Sequence, residues 1–280
     1  MLRTQSARVL DARDLDEVRA LLHNDPVADV FVSSRLEVGG LDPWRLGAEM
    51  WGYGDRGRLE SLCYSGPNLV PVQATPDALR AFTDRARRQG RRCSSIVGPA
   101  SMVAPFWQLL RPHWGRAREE RLNQPLMAID GPPLVAPDPA VRLVRPDELD
   151  LLLPACIEMF TEEVGVSPLA ADGGSLYRAR VQELIEHELA WARIEDGKVL
   201  FKAEVGCFTE HACQVQGVWV HPSLRGLGAG TSGTAAIVDH ARATVAPVVS
   251  LYVNDYNAAA RRAYAKVGFR EVGTFASILF

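Results

Sequence analysis

Val215-Gln-Gly-Val-Trp-Val-His-Pro-Ser-Leu-Arg-Gly-Leu-Gly-Ala-Gly230 is the stretch on which the reading of this chain turns. Its first residues alternate as a strand does, a short loop follows, and a glycine-spaced turn then opens a helix. Gly226, Gly228 and Gly230 carry no β-carbon, so successive N–H groups can converge on phosphate oxygens at the positive end of that helix. Arg225 adds a fixed charge beside them. Arg225, Gly226, Leu227, Gly228, Ala229, Gly230 and Thr231 are therefore the candidate pyrophosphate cradle.

Gly228-Ala-Gly-Thr-Ser-Gly233 also satisfies the G-x-G-x-x-G dinucleotide fingerprint, with Asp255 near the place of a ribose-binding acid. Three features oppose that alternative. His221 to Leu227 separate the glycines from the strand, the strand is amphipathic rather than uniformly apolar, and too little chain follows for a doubly wound sheet. An ordinary glycine-rich turn, the plainest alternative, leaves a second segment unexplained: Asn254-Asp-Tyr-Asn257-Ala-Ala-Ala-Arg-Arg-Ala-Tyr264-Ala-Lys-Val-Gly268-Phe269.

Taken in order, Arg225-x-x-Gly228-x-Gly230 after a strand and the Asn257–Tyr264–Gly268–Phe269 segment resemble the GNAT (GCN5-related N-acetyltransferase) superfamily over about half of the chain. The resemblance implies an α/β (α+β) fold with a mixed, mostly antiparallel sheet flanked by helices. It implies acetyl-CoA as acyl donor and transfer of the acetyl group to a primary amine by direct attack. Such a transfer needs a seat for the phosphates and pantetheine, polarisation of the thioester, removal of a proton from the amine and protonation of the departing thiolate.

By the same resemblance, the backbone of Val218, Trp219 and Val220 pairs with the pantetheine arm, and Asn254 and Asn257 contact CoA. Tyr264 donates a proton to the sulfur, Glu204 on the preceding strand accepts the amine proton, and Glu162 and Glu163 shape the acceptor pocket. The residues themselves leave other roles open. Tyr264 could be a core aromatic, Asn257 simply a helix cap, Glu204 the partner of Lys202 in an ion pair on a solvated face, and Glu162 and Glu163 two ordinary acids at a helix end. A non-catalytic acyl-CoA-binding sensor is the competing function, which the presence of Tyr264 beside a full phosphate loop argues against.

The chain has 280 residues and a formal net charge of -3. That length allows two domains of ordinary size. Up to Asp130 there are 18 basic and 16 acidic side chains, and from Gly131 onward 13 and 18, so neither half is basic enough to suggest nucleic acid. The arginines at 85, 87, 88, 91 and 92 read as a solvated helix face. Five scattered cysteines without a C-x-x-C pair read as reduced thiols. His187-Glu188 begins an H-E-x-x-H, but Trp191 stands where the second histidine would be, so no metal site is expected. Neither a signal-peptide core nor a run of membrane-spanning length is present, and a cytoplasmic protein is expected.

Residues 131–140 are rich in proline and form the expected linker between a first domain at 1–130 and a second at 141–280. On either side of it the chain opens alike: Arg8-Val-Leu-Asp-Ala-Arg-Asp-Leu15 and Arg142-Leu-Val-Arg-Pro-Asp-Glu-Leu149, offset by 134 residues. The first half reads as helices near 14–23, 27–37, 76–89 and 101–111, with strands near 58–64, 68–73, 93–97 and 122–129. In the second, helices are expected near 148–160, 175–190, 229–244 and 257–266, and strands near 191–195, 199–206, 213–220, 248–253 and 270–279. The expectation is two GNAT-like folds in tandem, as in bacterial proteins with a poorly characterised domain ahead of a GNAT domain. The first lacks the arginine and glycines after its strand, so it reads as a degenerate copy.

Overall fold

The computed structural model describes residues 6–170 and 173–280. In chain order the elements are β1 (Arg8–Val9), α1 (Leu15–Leu22), α2 (Val30–Gly39), α3 (Pro43–Leu46), β2 (Glu49–Asp55), β3 (Arg58–Ser65), β4 (Asn68–Val72), α4 (Pro76–Gln89), β5 (Ser95–Pro99), α5 (Ala100–Trp114) and β6 (Glu119–Ile129). There follow β7 (Val141–Leu143), α6 (Leu149–Val164), α7 (Ser175–Glu186), β8 (Ala190–Glu195), β9 (Lys198–Phe208), β10 (Ala212–Val220), α8 (Ala229–Thr244), β11 (Val248–Tyr252), α9 (Ala258–Val267) and β12 (Arg270–Leu279). The chain divides into two compact units. The first takes the chain up to Met127 with Tyr252–Tyr256 and Glu271–Phe280; the second takes Ala128–Leu251 and Asn257–Arg270.

Local chemistry sets the ends of these elements. The Thr75 hydroxyl accepts from the Ala78 amide at 3.2 Å and Pro76 takes the first position of α4, while Asn257 caps α9 by accepting from the Ala260 amide at 3.1 Å. Gly268, in the left-handed region at φ 113°, ends α9.

In the first unit the strands run in the order β1-β2-β3-β4-β5-β12-β6. β4 and β5 are parallel, whereas β1–β2, β2–β3, β3–β4 and β5–β12 are antiparallel. Alternation along β2 sends Trp51 to a core with Phe82, Ile96, Phe106 and Leu110, and Met50 to another with Val18, Leu22, Leu36 and Leu62. Ala276 and Ile278 of β12 belong to the first of these cores, so the final strand, read from sequence as the end of the second half, completes the packing of the first unit. Strand β2 was not expected from sequence at all.

In the second unit the order is β11-β10-β9-β8-β7, with β10 and β11 parallel and the other neighbours antiparallel. Leu149, Leu152 and Cys156 of α6 pack with Val181, Leu184 and Ile185 of α7 and with Ala190 and Trp219 of the strands. Linker residues join this packing: Asp138, 9% exposed, accepts from Arg193 at 3.0 Å and through its own amide donates to the Ser232 carbonyl.

The repeated opening is one structure built twice. Arg8 makes paired bonds to Asp14 at 2.8 Å each, and Arg142 makes the same pair to Glu148 at 2.8 and 2.7 Å. In both, the same carboxylate also accepts from a backbone amide three residues earlier, Asp11 or Arg145, at 3.0 and 2.9 Å. Each opening is a strand, a single 3₁₀ turn and a helix, in matched positions 134 residues apart.

Candidate active site

β10 and β11 pair in parallel at Ala212↔Val248, Cys213↔Val249 and Gln214↔Ser250, and the ladder stops there although β10 continues to Val220. The Ser250 hydroxyl closes the last rung by donating to the Cys213 carbonyl at 2.9 Å. Beyond that rung the β10 main chain, including Val218, Trp219 and Val220, pairs with β9 on one edge and is unpaired by β11 on the other, so main-chain groups on that second edge can meet a ligand lying in the opening.

The far end of β10 runs into the glycine loop. Gly226 and Gly228 have φ of 80° and 93°, and a β-carbon at either would meet nothing within 4 Å, so the loop presents bare backbone to open space. Among the described residues, Leu227, Thr231 and Ser232 spend their amides on nearby carbonyls, while those of Gly226, Gly228, Ala229 and Gly230 have no acceptor. These amides stand at the positive pole of α8, which fits an anion such as a pyrophosphate. Arg225 borders the loop: its Nε donates to the Val220 carbonyl at 3.0 Å and its Nη2 lies 3.0 Å from both oxygens of Glu162. Two residues expected to serve different ligands are thus paired with each other.

Midway along β10 a bulge shifts the register between Gln216 and Trp219. Gly217 sits there at φ 61°, and a β-carbon on it would lie 2.8 Å from the Lys202 ammonium. Beneath the bulge, Lys202 is 1% exposed and its Nζ lies 2.8 Å from Glu204 Oε2 and 3.5 Å from Cys156 Sγ. Gln216 donates to the other oxygen of Glu204 at 3.1 Å. Burial is the largest single influence on Lys202 and opposes its charge, but the Glu204 carboxylate, Cys156 and Tyr177 together outweigh it and hold the ammonium above its ordinary pKa. The expected ion pair therefore forms, but the solvated face does not: β9 lies between β8 and β10, under α6 and α7, and both partners are buried.

Tyr177 of α7 donates to the Cys156 carbonyl at 2.9 Å and stacks edge-on against Phe160 at 5.3 Å. Neither Tyr177 nor Gln216 was singled out from sequence; the signal for Gln216 was its place beside Gly217, and for Tyr177 there was none. Tyr264 is 8% exposed, with its ring 5.9 Å from Phe269. Its hydroxyl is pushed upward in pKa by burial and, second, by the carboxylate of Glu163, which places Glu163 within electrostatic reach of it. Asn257 is occupied as the cap of α9, and Asn254 accepts from Gln124 at 2.9 Å within the first unit.

The first unit repeats the parallel opening without the loop. β4 and β5 pair only at Asn68↔Ser95 and Leu69↔Ile96. After β4, the Ala74 amide donates to Met102 Sδ at 2.9 Å and Thr75 at once caps α4. A thioether and a threonine cap stand where the second unit offers free amides.

Among the described residues no helix is long and apolar enough to cross a membrane, and no cluster of three metal-capable side chains occurs. Residues 158–269 match the Acetyltransferase (GNAT) family, and residues 48–152 match a domain of unknown function, DUF4081. No curated protein matches the chain in sequence. Among solved structures, the chain is similar to a GCN5-related N-acetyltransferase from Sphaerobacter thermophilus, at 17% identity over 100% of this chain and 96% of that one, with a TM-score of 0.61. It is similar to a tandem GNAT protein from the clavulanic acid biosynthesis pathway, at 14% identity over 98% of each chain and a TM-score of 0.56. An acetyltransferase of the GNAT family from Colwellia psychrerythraea gives 16% identity over 98% and 99%, with a TM-score of 0.56. Residues 158–269 thus form a domain of the GNAT acetyltransferase family, in a chain that has the tandem GNAT fold.

Proposed function

We propose that the second unit transfers an acetyl group from acetyl-CoA to a primary amine, and that the first unit is a non-catalytic copy. The observation that carries this reading is the parallel ladder that stops at Gln214↔Ser250 just before a loop of unpartnered amides. An extended, amide-bearing ligand ending in phosphates suits that combination of free strand edge and anion seat. Acetyl-CoA, when bound, supplies an activated acyl thioester.

The chain's own residues then divide the work. Arg225 and the free amides of Gly226, Gly228, Ala229 and Gly230 hold phosphate, and Val218, Trp219 and Val220 align the arm through main-chain bonds. Tyr264 holds its proton at neutral pH, as any tyrosine does, and can give it to a departing thiolate; burial raises its pKa and so strengthens that hold. Both oxygens of Glu204 are engaged, by Lys202 and Gln216. Accepting a proton would dissolve that pair, so Glu204 suits fixing the orientation of the amine or of a water that relays its proton. Glu162 and Glu163, at the end of α6, add negative charge on the acceptor side.

The test is release of free thiol from acetyl-CoA with a panel of amines, together with calorimetric titration of CoA. Binding and turnover are expected, and Gly228→Asp is expected to abolish both by placing bulk and negative charge at the anion seat. Tight NAD binding without a response to CoA would sink the reading. Binding of CoA without turnover on any amine would favour a sensor.

A further inference from the structure

Glu162 and Arg225 lie 63 residues apart in the sequence and meet through one guanidinium nitrogen equidistant, at 3.0 Å, from both carboxylate oxygens. The guanidinium is aimed by its Nε bond to the Val220 carbonyl, so it stays at the mouth of the loop whether or not Glu162 is there. A carboxylate in this position presents to Arg225 what a phosphate would present: two anionic oxygens. We propose that Glu162 is an internal substitute for phosphate, a latch that occupies Arg225 in the free protein and is exchanged for the phosphates of acyl-CoA when the cosubstrate binds. The inference rests on the acyl-CoA reading given above.

The exchange is physically reasonable because the latch is weak and its replacement is strong. Side chains of Arg225 and Glu162 are 47% and 52% exposed, and exposed pairs contribute little. A phosphate adds the free amides of Gly226, Gly228, Ala229 and Gly230 and the pole of α8, none of which Glu162 uses. The Arg142–Glu148 pair shows the contrast: Glu148 is 8% exposed, takes two arginines and a backbone amide, and is built to stay. Glu162 stands in the last turn of α6, which ends at the left-handed Gly165, so the latch ties α6 to the phosphate loop only while the loop is empty. Release of the latch returns a carboxylate to the side where the amine must enter, at the moment when the acyl donor is in place.

Calorimetry with CoA, and with pantetheine as a probe lacking phosphates, tests the latch in the full chain. Glu162→Gln is expected to bind CoA about two- to fivefold more tightly than the wild type, the range open to an exposed pair, with the gain shrinking as salt is raised. Pantetheine affinity should be unmoved. Glu158→Gln, the same charge change one turn earlier on an exposed site of α6, should leave CoA affinity unchanged. Equal tightening by both variants, tightening for pantetheine as well, or no tightening in Glu162→Gln overturns the latch. Wild type that binds CoA while Glu162→Gln gains nothing removes the latch alone; failure of the wild type to bind CoA removes the acyl-CoA reading with it.

Discussion

A tyrosine that is to donate a proton must hold it at the working pH, which Tyr264 does by its ordinary chemistry, and its surroundings only tighten that hold. Burial on α9 pushes its pKa up, and the carboxylate of Glu163 adds to the shift. Tyr264→Phe should therefore lower turnover on the order of a hundredfold while CoA affinity stays nearly intact, as seen by comparing single-turnover rates with calorimetric affinities. Asp29 is a second residue whose environment makes a measurable statement. It is 3% exposed, its Oδ2 has no partner, and burial, aided by Asp25, raises its pKa from 3.8 to about 7 against the opposing bond with Gln73. A carboxyl with a raised folded pKa binds its proton more tightly when folded, so its contribution favours folding at low pH and falls between about pH 4 and pH 7. Asp29→Asn should remove that slope: between pH 5 and pH 8 the wild type loses on the order of a few kcal/mol that the variant keeps, measured by urea unfolding at both values.

At the scale of elements, β9 carries the pair that the site is built around. Lys202→Met leaves Glu204 buried with Gln216 alone, and a cost of about 3–5 kcal/mol is expected in denaturant unfolding. Lys202→Met with Glu204→Gln should recover part of it, because the uncompensated charge is then gone. Sequence made the helices legible where residue type marked their starts: α4 runs from Pro76 to Gln89 behind its Thr75 cap, and α8 from Ala229 to Thr244 after the left-handed Gly228, as read. It missed β2, whose Gly52 and Gly54 interrupt the alternation. Gly52 is there because a β-carbon would lie 2.6 Å from the Leu10 side chain, a requirement of packing that no local pattern announces. In the site, the glycine loop could be read because backbone geometry dictates residue type. The Lys202–Glu204 pair was visible as spacing but not as burial, since burial depends on α6 and α7 covering β9.

For the molecule as a whole, the duplication was legible in two arginine–carboxylate openings 134 residues apart, because each uses the same three bonds. The partner of β12 was not, because an alternating strand fits any open edge of suitable register. Its register runs from Phe275↔Pro99 to Leu279↔Ser95, with Ser277 donating to Gln124 at 2.7 Å and Phe280 packing against Trp107 and Trp114. Removal of residues 271–280 should therefore destabilise the first unit. Hydrogen exchange should rise most in β5 and α5, far earlier in the chain than the cut, and protection confined to unchanged values there would refute this role of β12.

The assignment of β12 also has a consequence for birth on the ribosome. When β6 has been made, the first unit still has a vacant strand position beside β5, and the strand that fills it is synthesised about 140 residues later. At ordinary elongation rates the wait is roughly 7–30 s. During that time Ile96 and the facing core lack Ala276 and Ile278, and an unpaired strand edge is open to other chains. The half of the molecule that is translated first is thus the half that matures last, and its exposure to chaperones is set by the length of the half that follows it.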